Sequence, residues 1–162
     1  MEKVKKIARG LISLGLPFSA AAIGSYFTTP AVKGWYQDIN KLSFSPPDWL
    51  FAPVWTILFL LMGIAFYIVW SNRKKDKERR VAITLFIIQL ILNAFWSILF
   101  FGIPNFAAAF VEIVILWIFI ILTMIAFKRV SKRAYYLLIP YLLWVSFAMV
   151  LNLGLWLINP NL

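Results

Sequence analysis

Gln89, Asn93, Trp96, Ser97 and Phe100 follow one another at the three- and four-residue steps that bring side chains onto a single helix face. Tyr141, Trp144, Ala148, Asn152 and Leu155 repeat the mixture of rings and amide further along. Planar rings beside a few fixed hydrogen-bonding groups can wall a cavity between helices. The same pattern also suits a plain core, in which Asn93 and Asn152 hydrogen-bond to neighbouring helices while the aromatics fill space; residue types alone leave both readings open. Much other chemistry is excluded. With no Cys and no His in the chain, disulfides, thiolate metal sites, cysteine nucleophiles and the commonest metal ligand and general base are all missing. A metal-ligated haem is disfavoured for the same reason, and no metal site is expected. Glu112 is the sole acidic residue well inside an apolar run, where a carboxyl is costly unless neutral, bonded or wet. No second ionisable group accompanies it to form a proton relay, so a neutral or interhelically bonded Glu112 is the favoured reading.

These residues need helices in lipid to position them. The 162 residues are 63% hydrophobic, against about 45–50% in a soluble domain, and only 14% charged. Apolar segments run at about 7–27, 46–70, 81–101, 105–127 and 134–158, each near the roughly 20 residues that cross about 30 Å of hydrocarbon. They are continuous rather than alternating, which argues against a membrane barrel. The expected fold is an all-α integral membrane protein, one five-helix bundle over residues 1–162.

Charge tests the count. Four basic residues (Lys3, Lys5, Lys6, Arg9) precede span 1, six (Arg73, Lys74, Lys75, Lys77, Arg79, Arg80) separate spans 2 and 3, and four (Lys128, Arg129, Lys132, Arg133) separate spans 4 and 5. Only Lys33 and Lys41 lie between spans 1 and 2, and the remaining loops have none. The asymmetry predicts a cytoplasmic N-terminus and an outside C-terminus. It also explains the net charge of +10 without a nucleic-acid partner, since the basic residues sit in short clusters between apolar runs. Met1–Ala22 has marks of a signal peptide as well, but the apolar run continues through Phe27, which favours a retained span.

The junctions carry further expectations. Ser45 is placed to cap the second helix, Pro46 to occupy its first position and Asp48 to sit at the positive end of its dipole. Gly102 and Pro104 end the third helix and begin the fourth. Pro17, Pro53 and Pro140 should bend their helices and leave space between them. Small residues four apart on the first helix (Gly15/Ser19, Ala20/Gly24, Ala21/Ser25) permit close approach, within the bundle or between two copies. The 28–45 loop is long and carries Trp35 and Tyr36 beside Lys33 and Lys41, which fits a lid or an anchor at the headgroup level.

Three ordered motifs resemble one family. Leu42 to Trp55 (LSFSPPDWLFAPVW), Leu92 to Ser97 (LNAFWS) and Leu138 to Ala148 (LIPYLLWVSFA) with Asn152 closely resemble the TspO/MBR family of translocator and tryptophan-rich sensory proteins, and the likeness covers nearly the whole chain. The resemblance implies a five-helix bundle of prokaryotic type, commonly a homodimer in the cell membrane. It implies a pocket at the 28–45 side that takes porphyrins such as protoporphyrin IX, or other lipophilic molecules, with no required cofactor. Matched by motif, the ligand-binding set is Trp35 and Tyr36 in the lid; Pro53 and Trp55; Asn93, Trp96 and Ser97; and Tyr141, Trp144, Ala148 and Asn152. The implied role is sensor, carrier or scavenger; the alternatives are transport of lipophiles such as sterols, or light-dependent porphyrin breakdown, in which Trp55 and Trp144 match the implicated tryptophans. Propionates of such a ligand would meet Lys33 or Lys41. This chain departs from sterol-binding relatives in having no Lys or Arg after Arg133.

Overall fold

A computed structural model describes residues 1–72 and 76–162. Arg73, Lys74 and Lys75, part of the basic cluster between spans 2 and 3, lie outside the described residues. The chain forms α1 (Glu2–Lys33), a 3-10 turn (Trp35–Gln37), α2 (Asp48–Ser71), α3 (Asp76–Ser97) extended by a π turn (Ile98–Gly102), α4 (Phe106–Val130), α5 (Lys132–Leu137) and α6 (Ile139–Ile158). Five helical segments are long and apolar enough to cross a membrane, the fifth being α5 and α6 together. The five-span bundle expected from hydropathy is therefore present.

The packing order is a ring. α1 lies against α2, α2 against α5, the fifth span against α4, α4 against α3, and α3 back against α1. Each join rests on local sequence. Ser13 and Leu14 of α1 approach the α2 backbone so closely that a Cβ on Gly63 would stand 2.8 Å from Leu14 Cδ2 and 3.0 Å from the Ser13 carbonyl. Gly24 admits Ser97 in the same way, 3.1 Å from a Cβ placed there. Of the small-residue rows, Ala20/Gly24 is thus buried internal packing, whereas Gly15 and Ser19 face outward. Phe86 of α3 stacks on Phe66 of α2 (4.6 Å between ring centroids) and on Phe127 of α4 (5.7 Å), forming an aromatic column across the three helices.

The helix ends correct several expectations. α2 starts at Asp48 with Pro47 before it, and Ser45 does not cap it: the Ser45 hydroxyl is buried without a hydrogen-bond partner among the described residues. Two consecutive prolines hold the chain extended there (Pro47 φ −57°, ψ 142°), so the helix cannot begin earlier. α1 runs to Lys33, through Pro30, which shortens the connecting loop to 34–47. Pro17 and Pro53 sit inside continuous helices, while the fifth span breaks at Leu138, where Pro140 falls in the first turn of α6 and has no N–H to offer the Tyr136 carbonyl. Gly102 does end the third span, where a Cβ would stand 2.6 Å from the Phe27 ring, and Asn105 caps α4 by accepting from Ala108 N (2.9 Å).

Glu112 is buried on α4, and neither carboxylate oxygen has a hydrogen-bond partner among the described residues. The interhelically bonded reading of this residue does not hold.

Candidate functional site

A cavity of about 520 Å³ is walled by α1, α2 and α3 near the 34–47 loop. α1 contributes only slender groups along most of its wall: Ala20, Ala21, Ala22, Gly24, Ser25, Thr28 and Thr29. α2 and α3 face it with rings, Phe51, Trp55, Phe59, Trp96 and Phe101, and with the polar tips of Asn93 and Ser97. Small side chains opposite large ones leave the gap; a continuous row of Leu on α1 would close it. Lys33 and Asp48 stand at its rim.

Behind this cavity is a nearly filled seam of about 20 Å³, bordered by Tyr36, Phe51, Trp55, Trp96, Trp144, Ala148 and Asn152 among others. The residues singled out from sequence therefore divide. Trp55, Asn93, Trp96 and Ser97 line the main cavity, while Tyr36, Ala148 and Asn152 border only the seam; Trp144 borders the seam and a groove between α2 and the fifth span, and Trp55 and Trp96 are shared by seam and main cavity. Tyr141 borders neither; it is fully buried behind Trp55, ring centroids 6.3 Å apart. Pro53 is exposed on the outer side of α2, because Ala52 and Thr56 take the inward positions of that turn. Trp35 packs on Phe106 of α4 (6.1 Å) rather than over the cavity.

The amides chiefly do the core's work. Asn93 Nδ2 donates to the Tyr141 hydroxyl (3.0 Å), which donates to Gln89 Oε1 (2.8 Å). Trp96 Nε1 donates to Asn152 Oδ1 (3.1 Å), and Asn152 Nδ2 donates to the Phe106 carbonyl (3.0 Å). These bonds tie α3, α4 and α6 together at a depth without water, and they fix the face that Trp96 turns to the cavity. Both sequence readings thus apply, each to part of the set.

The 34–47 loop closes over this end and is held at several points. Asn159 receives the Asn40 N–H on Oδ1 and returns its own Nδ2 to the Asn40 carbonyl, both at 3.0 Å. Leu42 sits where a side chain on Gly154 would be. Gln37 Nε2 donates to Asp48 Oδ2 (2.6 Å) and to the Val32 carbonyl (2.6 Å); Lys41 pairs with Asp48 Oδ1 (3.6 Å) and lies 4.7 Å above the Tyr36 ring. Asp48 is therefore a loop anchor as well as a helix-dipole partner. With Lys41 committed to it, Lys33 is the cation that faces the cavity. Tyr36 is buried against Phe100 and Phe101, and its phenol is pushed up to about 12, first by burial and then by the neighbouring Asp48 carboxylate.

Residues 13–157 match the model of the TspO/MBR family. The chain belongs to that family. It is 49% identical to the tryptophan-rich protein TspO of Chlorobaculum tepidum over 96% of this chain and 99% of that one. With the tryptophan-rich protein TspO of Archaeoglobus fulgidus it shares 44% identity, covering 98% and 99%. The translocator protein of Homo sapiens is 34% identical over 86% and 83%. Membership makes the lipid bilayer the setting of the bundle. The wall that sequence reasoning missed is α1 and its facing residues Phe51, Ala52 and Phe59. Its signal was present in the Ala20/Gly24 and Ala21/Ser25 rows, which were read as contact faces; both border open space.

Proposed function

We propose that this TspO/MBR protein binds a porphyrin, or a similar flat lipophilic molecule, in the α1–α2–α3 cavity, and acts as a sensor or carrier of that ligand. One observation carries the reading: a cavity of about 520 Å³ faced on two sides by aromatic rings, with Asn93 and Ser97 at one end and Lys33 at the other. The volume falls in the roughly 300–1,000 Å³ range of small-molecule sites. Trp55 and Trp96 each offer a ring for stacking, worth about 0.5–1.5 kcal/mol per good contact beyond area burial. A propionate directed at the rim would meet Lys33.

Titration of the detergent-purified protein with protoporphyrin in the dark, followed by tryptophan quenching, tests it. Saturable quenching that weakens several-fold in Trp55→Phe is expected. Quenching that never saturates, or that is indifferent to Trp55, would turn the assignment away from this cavity. A second reading, light-driven breakdown of the bound porphyrin, is favoured by the placement of Trp55 at the cavity wall with Trp144 in the seam behind it. Illuminating the same samples separates the two: binding without loss of porphyrin absorbance leaves a carrier or sensor, and loss that survives in both Trp55→Phe and Trp144→Phe removes the tryptophans from any such reaction.

A further inference from the structure

At the opposite end of the same three helices is a second recess, of about 320 Å³, bordered by Arg9 of α1, Trp70 of α2, and Asp76 and Arg79 of α3. Its depth follows from the helix register. Ser13 and Gly63 meet where α1 and α2 cross; from there Arg9 is four residues and Trp70 seven residues towards the same end, rises of about 6 and 10 Å. α3 enters at that end through Asp76. The recess thus opens where hydrocarbon gives way to headgroups, the level that Trp prefers and at which Arg side chains meet lipid phosphates.

Its chemistry, among the described residues, is that of an anion seat. Arg79 is held rigid, Nη2 to Asp76 Oδ1 at 2.6 Å and Nη1 to the Asn72 carbonyl at 2.9 Å, which leaves other guanidinium donors uncommitted. Arg9, half-buried, has no partner among the described residues. Among the described lining residues two guanidinium groups face one carboxylate, Asp76, so the recess favours an anion such as a phosphodiester. Directly below Arg9 on the same helix face, three residues deeper, Ile12 is exposed. A cation with an apolar strip beneath it matches a molecule with a phosphate above and acyl chains below, rather than a free phosphate.

We propose that Arg9, Arg79 and Trp70 form a binding seat for the phosphodiester headgroup of a membrane phospholipid, separate from the aromatic cavity. Arg9 supplies a bidentate fork to the phosphate oxygens, Arg79 fixes the opposite side, and the Trp70 indole covers the glycerol region. The full-length protein in detergent, titrated with a short-chain phosphatidylglycerol and followed by native mass spectrometry, tests it, with a diacylglycerol of the same chains and inorganic phosphate as comparison probes. Arg9→Gln should weaken phosphatidylglycerol retention about tenfold, the scale of losing a hydrogen bond to a charged group, and Trp70→Leu should weaken it less. Lys132→Gln, which removes one exposed charge from α5 at the same end, should change it less than about twofold. Equal losses in Arg9→Gln and Lys132→Gln would overturn the seat in favour of diffuse attraction. Equal retention of diacylglycerol would overturn the phosphate's role, and displacement by inorganic phosphate at matched concentration would overturn the lipid. Porphyrin quenching in Arg9→Gln should match wild type, so failure here is distinguishable from failure of the cavity assignment.

Discussion

The two sides of the bundle use the same residue types to opposite ends. Where α3 meets α4 and α6, rings stack on rings and each amide has found a partner on another helix, as in the Phe86–Phe127 stack and the Trp96–Asn152–Phe106 chain of bonds. Where α3 and α2 meet α1, rings of the same kind face Ala21, Gly24 and Ser25 across open space. Aromatic content therefore does not distinguish core from site in this protein; the size of what lies opposite does. Stability should reside on the α4 side and ligand recognition on the α1 side, and substitutions can break that division or sharpen it.

The largest effect is expected from Phe86→Ala. Phe86 is fully buried between two stacked partners, so removing its ring should cost about 3–5 kcal/mol, read as a large drop in the thermal midpoint in detergent. A loss below about 1 kcal/mol would mean that the column is not the packed core the contacts describe. Next comes the loop. Tyr36 is neutral in its buried site up to about pH 12 but would ionise near pH 10 if the loop were released. Its contribution is fully present below pH 10 and is lost as pH rises from 10 through 12, approaching about 3 kcal/mol. Protection of the Asn40 amide from hydrogen exchange, taken relative to the base-catalysed rate of a free amide, should fall across that window in wild type, and Tyr36→Phe, which has no proton to lose, should remove that fall. An identical loss of protection in Tyr36→Phe would remove Tyr36 as its cause.

Ala21→Phe addresses the cavity alone. The added ring fills space bordered by α2 and α3, so porphyrin quenching should fall by more than about tenfold, a loss above about 1.4 kcal/mol, while the thermal midpoint stays near that of wild type. A midpoint that drops along with binding would show that the α1 side is packed like the other, and the division between the two regions would fail.

How much of this the sequence carried depends on the range of the physics involved. Span number follows from hydropathy, a property of single segments, and the five expected spans are present among the described residues. The inward faces of α3 and α6 also follow, because helical periodicity is local: Gln89, Asn93, Trp96, Tyr141, Ala148 and Asn152 are all buried. What a face meets is not local. Asn152 and Asn93 gave no sign of whether a ligand or another helix would satisfy them, and the rows of small residues on α1 could not show that both would border a void, with Gly24 abutting Ser97 as well. Pro53 was misplaced for a simpler reason: a proline in a family motif marks backbone shape, and its side chain faces away from the cavity that shape helps to form.

Trp96 is the residue on which the comparison can be tested most finely, because it belongs to both sides. Its ring borders the cavity while its N–H is held by Asn152, in a bond that lies on the core side. Asn152→Leu keeps the volume roughly constant and leaves Trp96 Nε1 without its acceptor, at an expected cost of about 1 kcal/mol in this setting. If Asn152 serves only the core, porphyrin affinity should be unchanged and the effects of Asn152→Leu and Trp55→Phe on binding should add. If it also holds the Trp96 ring in its ligand-facing orientation, affinity should fall about two- to threefold and the double variant should depart from additivity by about 0.5 kcal/mol or more, since Trp55 and Trp96 would no longer face the same ligand plane. The hydrogen bond at 3.1 Å and the burial of Trp96 favour the second outcome. On that outcome the core is part of the recognition machinery through one bond, and the α4 side sets the orientation of a wall that α1 leaves open.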